Sequence, residues 1–254
     1  MKSKKYLLPF LAVFLFISFS VQAQEAPPYL MWHSFYITPD YTKLKEFKEV
    51  LAKHNKKFHG EGPHMTAVYH VMTGPNTGKI IWQMGPHTWT HLDSRPNDDS
   101  HNDDWQHNVM PYIKKIQNGE FWKQIDAPSN TSMLQNSQDT YPIFHLRFHE
   151  VARGKGDNVE RLFQMIGDAV KAMDGVNPWG LYSNEFRQGY KIGRHLASVS
   201  FLKSWSEYET NPFKDAFLKT HGENSWDAFV SGMESEFSDS WDEVWVYDAK
   251  LSGR

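Results

Sequence analysis

Trp89-Thr90-His91-Leu92-Asp93-Ser94-Arg95-Pro96 and Trp205-Ser206-Glu207-Tyr208-Glu209-Thr210-Asn211-Pro212 are two versions of one segment. Trp, a hydroxyl, an acid, a second hydroxyl and Pro hold the same places in both. Around this pair, others follow in the same order: His33 with His145, Gly78 with Gly193, His101 with His221 and Trp105 with Trp226. The separations drift slightly, as small loop insertions would cause. One such pair is chance; an ordered series reads as an internal duplication, which has to be found before any motif is trusted.

Each copy has the same pattern. Residues 29–37 and 141–151 alternate apolar and polar at period two and read as strands. Pro39-Asp40 opens a helix in the first copy, with Leu44, Phe47, Val50 and Leu51 at helical spacing. In the second, Asp157 is the expected cap before Val159, Leu162, Phe163, Ile166 and Val170. Hairpins are expected over 65–85, turning at 74–77, and over 179–201, turning at Gln188-Gly189. Helical regions over roughly 98–118 and 212–233 come next. The aromatic-rich segments Phe121–Ile125 and Val244–Tyr247 close the units. The expected fold class is α+β, with two tandem ferredoxin-like β-α-β-β-α-β units forming an intramolecular barrel. Its boundaries are a signal peptide over 1–23, a first half-barrel over 24–128, a linker over 129–140 and a second half-barrel over 141–254.

This order, doubled, resembles the dimeric α+β barrel superfamily, in particular the antibiotic-biosynthesis-monooxygenase and stress-responsive barrel types and haem enzymes such as chlorite dismutase. The resemblance spans nearly all of 28–249 but rests on element order and duplication. The Gly-x-x-Asp-Gly motif of dye-decolourising peroxidases is absent, since Lys171 stands where its first Gly belongs. What the resemblance implies is a fold, a cavity between the two sheets and helices covering their other faces; function has to come from the site.

Composition narrows the classes. The 254 residues are 40% hydrophobic and 15% aromatic, so a large core is available. Lys plus Arg (27) nearly balance Asp plus Glu (30) without a basic tract, which argues against nucleic-acid binding. The absence of cysteine excludes disulfides, thiolate metal sites, iron–sulfur clusters, thiol nucleophiles and a lipoprotein anchor. Lys2, Lys4 and Lys5, the apolar run Tyr6–Val21 and Val21-Gln22-Ala23 form a signal peptide. The protein is therefore expected in the periplasm or secreted, with no stable membrane anchor after cleavage. Pairing inside one chain makes higher oligomers optional.

The candidate site comes from alternation in Ile143-Phe144-His145-Leu146-Arg147-Phe148-His149. With Phe144, Leu146 and Phe148 placed under the helices, His145, Arg147 and His149 line the barrel as catalytic candidates. His33 occupies the place of His145 in the first copy. With His70, Gln83, Glu185 and His195, polar residues set in apolar strand sequence, it forms the expected ligand-binding group, because such residues need partners. Metal-free acid–base chemistry asks least of this set: a His moves the proton while Arg147 anchors an anion. Haem, with a proximal His and a distal Arg147, and a divalent metal on several imidazoles remain open, as does a non-catalytic barrel whose His and Arg form a buried polar network. The partner in each enzyme or binder reading is a small molecule. His87, His91, His101 and His107, among Asp93, Asp98, Asp99, Asp103 and Asp104, read as a solvated loop with an acidic helix start. Trp89, Trp105, Trp205 and Trp226 recur and read as scaffold core; Trp32, Trp82 and Trp179 do not recur and are candidates for shaping a pocket.

Overall fold

The computed structural model describes residues 29–134, 137–186 and 195–253. The expected signal peptide over 1–23, Gly193 and the expected turn at Gln188-Gly189 lie outside them. Strands β1 (Met31–Pro39), β2 (Thr66–Val71), β3 (Ile80–His87) and β4 (Ile113–Ile125) come from the first copy. Those of the second are β5 (Ile143–Val151), β6 (Trp179–Asn184), β7 (Leu196–Leu202) and β8 (Phe237–Tyr247). Helix α1 (Leu44–Phe58) follows β1, and α2 (Trp89–Asp93) and α3 (Asp99–Asp104) follow β3. A short α4 (Ser137–Thr140) precedes β5, α5 (Val159–Ala172) follows it, and α6 (Phe213–His221) and α7 (Trp226–Glu236) follow β7.

All these strands join one closed antiparallel barrel in the order β1-β3-β2-β8-β5-β7-β6-β4. Each copy alone supplies the order 4-1-3-2 of a ferredoxin-like sheet, and the copies join at two equivalent seams, β2 to β8 and β6 to β4. Closure leaves no sheet edge among the described strands, which removes the unpaired backbone groups a half-sheet would expose.

Helices cover the outside. Phe47 and Leu51 of α1 pack on Phe35, Ile37, Val68, Ile80 and Trp82, the outward residues of the first sheet. Phe163 and Val170 of α5 pack with Trp179, Leu181, Leu196 and Phe237 on the second. Each fully buried Phe or Leu contributes about 1.5–3 kcal/mol, enough to fix which helix face turns inward. Asp40 caps a short 3-10 turn, accepting from the Thr42 N–H, before α1 begins at Leu44. The expected Asp157 cap is replaced by Asn158, which flanks Val159 without a side-chain cap bond.

The last helical region of the first copy ends earlier than its sequence suggests. A π-helical turn, Trp105–Val109, and a 3-10 turn, Met110–Tyr112, lead straight into β4 at Ile113. In the second copy β8 begins at Phe237, well before Val244.

Candidate functional site

Inside the barrel the side chains are aromatic. Tyr36, Tyr69, Ile81, Trp122, Phe144, Leu146, Phe148, Tyr182, Val199, Phe201 and Trp245, drawn from all eight strands, form one buried cluster. All of these but Tyr36 and Ile81 line a chamber of about 270 Å³, nine of whose sixteen lining residues are aromatic. Trp32, Gln83 and Gln124 also line it. Trp32 stands edge-on to Tyr182, with ring centroids 5.4 Å apart. Burial pushes the Tyr182 hydroxyl pKa well above its ordinary value, so this group stays a neutral donor.

The chamber reverses the expected facing of β5. Phe144, Leu146 and Phe148 point into the barrel, so alternation turns His145, Arg147 and His149 outward. Arg147 forms a bidentate pair with Asp242 of the neighbouring strand, Nε to Oδ1 at 2.7 Å and Nη2 to Oδ2 at 2.8 Å, with about half its side chain in solvent. His145 Nε2 lies 3.6 Å from the same carboxylate. Although burial opposes ionisation there, the Arg147 guanidinium and the hydrogen bond from His145 hold the Asp242 carboxyl well below its usual range. His149 is buried against Phe163 and Phe237 under the helices.

The other expected ligand-binding residues divide as follows. Gln83 lines the chamber. His33 lies on the helix-covered face, stacked on Phe121 at 4.3 Å, with its pKa lowered to about 4 by burial, Arg95 and His87. It therefore points away from His145 rather than toward it. His70 is also outward, its Nε2 2.8 Å from Asp248 Oδ2. Glu185, just past β6, accepts a hydrogen bond from the Tyr29 hydroxyl. His195 Nδ1 accepts the Val151 N–H at 2.9 Å. Gln83 apart, the reason is shared: the chamber lining is mostly aromatic and aliphatic, so the polar row of β5 lies outside it.

Among the tryptophans, Trp32 lines the chamber as expected, but Trp82 and Trp179 pack beneath the helices. Trp89 and Trp205, expected in the core, are 39% and 52% exposed.

Sequence reasoning also missed a group on the outer face of the first copy. His54 of α1, His59 at its C-cap and His101 of α3 are all buried, with ring nitrogens within 4.8 Å of one another. The acidic start of α3 is as expected, since Asp98 caps it through the His101 N–H at 2.8 Å. His101 and His87, however, are buried rather than solvated. The sequence holds only a faint signal, two imidazoles five apart at the end of an amphipathic helix.

No family model and no curated protein matches this chain. Solved structures do. An anthrone oxidase-like protein aligns with a TM-score of 0.55 at 12% identity over 89% of this chain and 93% of its own. A candidate monooxygenase from Lactobacillus acidophilus NCFM gives 0.52 at 11% identity, over 87% and 95%. Together with the closed 4-1-3-2 pair of sheets, this decides the architecture. The chain has the dimeric α+β barrel fold. A novel haem-binding protein from Thermus thermophilus shares the α+β barrel fold with a TM-score of 0.50 at 11% identity, over 87% and 92%.

Haem fits this α+β barrel poorly at the expected place. Among the described residues the chamber presents no imidazole, thioether or thiolate to an iron, only the phenols of Tyr69, Tyr141 and Tyr182, and Arg147, the expected distal group, is tied to Asp242 outside it.

Proposed function

We propose that the barrel interior binds a planar, largely apolar small molecule, with Gln83, Gln124 and the Tyr182 hydroxyl reading its polar edge. The observation that carries this is the aromatic chamber itself. Stacking and edge-on contacts add about 0.5–1.5 kcal/mol per ring pair beyond area burial, and the amides supply direction. The described lining suits recognition rather than proton transfer, because it holds no group that titrates near neutral pH. The anthrone oxidase-like neighbour supports a polycyclic ligand class. The basic n-region, apolar run and small-residue site over 1–23 support export, which the mass of the mature protein from its native host would test.

Quenching of tryptophan emission by a panel of planar aromatic ketones, anthrone among them, measures the binding. Val199→Trp fills the chamber and is expected to abolish quenching, whereas Arg147→Met leaves it unchanged. Loss of binding on Arg147→Met with retention in Val199→Trp would return the ligand to the outer row. Absence of binding by every member of the panel would sink the chamber reading.

A further inference from the structure

The three buried imidazoles of the first copy are each held at one nitrogen by an acceptor. His59 Nδ1 lies 3.1 Å from the His64 carbonyl oxygen, which can only accept. His54 Nδ1 lies 2.8 Å from Asp104 Oδ2, and His101 Nδ1 3.3 Å from Asn102 Oδ1. In each neutral ring the proton therefore sits on Nδ1, and Nε2 carries a lone pair. One ring nitrogen of each lies within 4.8 Å of one nitrogen of both others. The Nε2 atoms of His59 and His101 are 3.2 Å apart, yet neither has a proton to share. That of His54 is buried without a hydrogen-bond partner among the described residues.

Facing lone pairs at this distance repel unless an electrophile lies between them. Two imidazole nitrogens each bound at about 2.0–2.1 Å to one tetrahedral metal stand about 3.3 Å apart, which is the separation found. Acceptors behind each Nδ1, a carboxylate among them, are the outer support that orients metal-binding histidines.

We propose that His54, His59 and His101 bind one divalent transition metal through Nε2, leaving a coordination position open toward a pocket in which Arg95 takes an anionic group of the ligand. Three imidazoles without thiolate suit Zn²⁺, Co²⁺, Ni²⁺ or Cu²⁺. A closed structural site would need a fourth protein ligand; among the described residues the cluster holds three, the pattern of sites that bind water or a substrate. The adjoining pocket, about 440 Å³, is walled by Trp82, Trp105, Asn97, Asn102, Arg95 and the carboxylate of Asp93. The Arg95 guanidinium lies 5.9 Å from the Trp82 ring centre, is half-buried, and pairs with no carboxylate among the described residues. This pocket lies on the helix-covered face, separate from the barrel chamber.

The test uses the mature full-length protein, purified without an affinity tag, stripped with chelator and titrated with Zn²⁺ or Co²⁺. One ion per chain is expected, with the intense visible absorption of four-coordinate Co²⁺ and a spectral shift on adding acetate. Arg95→Met keeps the Co²⁺ spectrum and loses the acetate shift. His101→Gln and His54→Gln weaken binding at least about a hundredfold, and Asp104→Asn about ten- to a hundredfold with an unchanged spectrum. His107→Ala, at an exposed position, binds as the wild type does. Folded wild-type protein that takes up no stoichiometric metal, or His101→Gln that binds as tightly as wild type, overturns the proposal. An acetate shift that survives Arg95→Met overturns the role of Arg95. Should a His variant fail to fold, X-ray absorption of the wild-type Co²⁺ form decides: a shell of three imidazoles supports the site, and any shell lacking them refutes it.

Discussion

His149 shows what a single misplaced polar side chain does to this molecule. Its Nδ1 meets Ser240 Oγ at 2.9 Å, while Nε2 is buried without a partner among the described residues. Burial, aided by the charge of Arg147, lowers its pKa to about 4, whereas in the unfolded chain it returns to about 6.5. Between those values the unfolded chain binds the extra proton, so stability falls as the pH drops below about 6.5, and the loss reaches its full extent only below about 4. The whole effect is on the order of 3 kcal/mol. His149→Leu fits the same apolar surroundings and is expected to flatten the fall of melting temperature across that window, as read by calorimetry. A slope equal to that of the wild type would mean that His149 is not the acid-sensitive group. His33, at about 4, and His59, at about 3, with His54 and His87 also lowered by burial, leave a residual slope after His149 is replaced.

At the scale of elements, β4 and β8 carry a matched pair, Glu120-Phe121-Trp122 and Glu243-Val244-Trp245. In each, the carboxylate turns into the barrel and accepts the indole N–H of the Trp two residues on, at 3.1 Å in the first copy and 2.8 Å in the second. Glu243 also accepts the Tyr36 hydroxyl at 2.9 Å and the Asn76 amide at 2.6 Å, which ties β8 to β1 and to the β2–β3 turn. Glu243→Gln puts donors where some of these acceptors were. A loss of about 1–3 kcal/mol in chemical denaturation, with altered Trp emission, is expected; no loss would show that this carboxylate does not hold the strands together. The order of elements was legible because helix and strand periods differ, and the duplication checks each assignment against its counterpart. The facing of the strands was not. Alternation separates two sets of residues but cannot say which set lies inside when both faces are covered, one by helices and one by the opposite sheet. In β4 the stretch Ile113-Lys114-Lys115-Ile116-Gln117-Asn118 lacks apolar alternation and so read as helix, although it pairs with Pro39–Tyr36 of β1. The histidine cluster was illegible for another reason: His101 reaches His59 only through the packing of α3 against α1, across 42 positions of sequence.

At the scale of the whole molecule, the segment after β8 ties the second copy to the first. After β8 the chain turns at Asp248, which His70 holds, and lies against the first copy. Asn55 donates to the Leu251 carbonyl at 2.7 Å, the Val68 N–H to Ser252 Oγ at 2.9 Å, and the Gly253 N–H to the Thr66 carbonyl at 3.0 Å. Gly253 presses so close that a Cβ there would stand 1.8 Å from the His59 carbonyl oxygen, which only glycine avoids. Removing residues 249–254 takes away three hydrogen bonds of about 1 kcal/mol each and the burial of Leu251 at about 1.5–3 kcal/mol, together roughly 4.5–6 kcal/mol. Thermal denaturation should show a loss of that order. A truncated chain as stable as the full one would mean that the tail merely rests on the surface.

The two seams of the barrel also set a timetable. A chain made from its N-terminus has β2 complete long before β8 exists, and β4 before β6, so the first sheet leaves the ribosome with both flanks bare. Their backbone groups, beside an aromatic interior that has no lid yet, are what another nascent copy would pair with. The first half is thus a sticky fragment whose only proper cover is the second half of the same polypeptide. Interrupted synthesis or a premature stop between the copies should give insoluble product rather than a small stable domain.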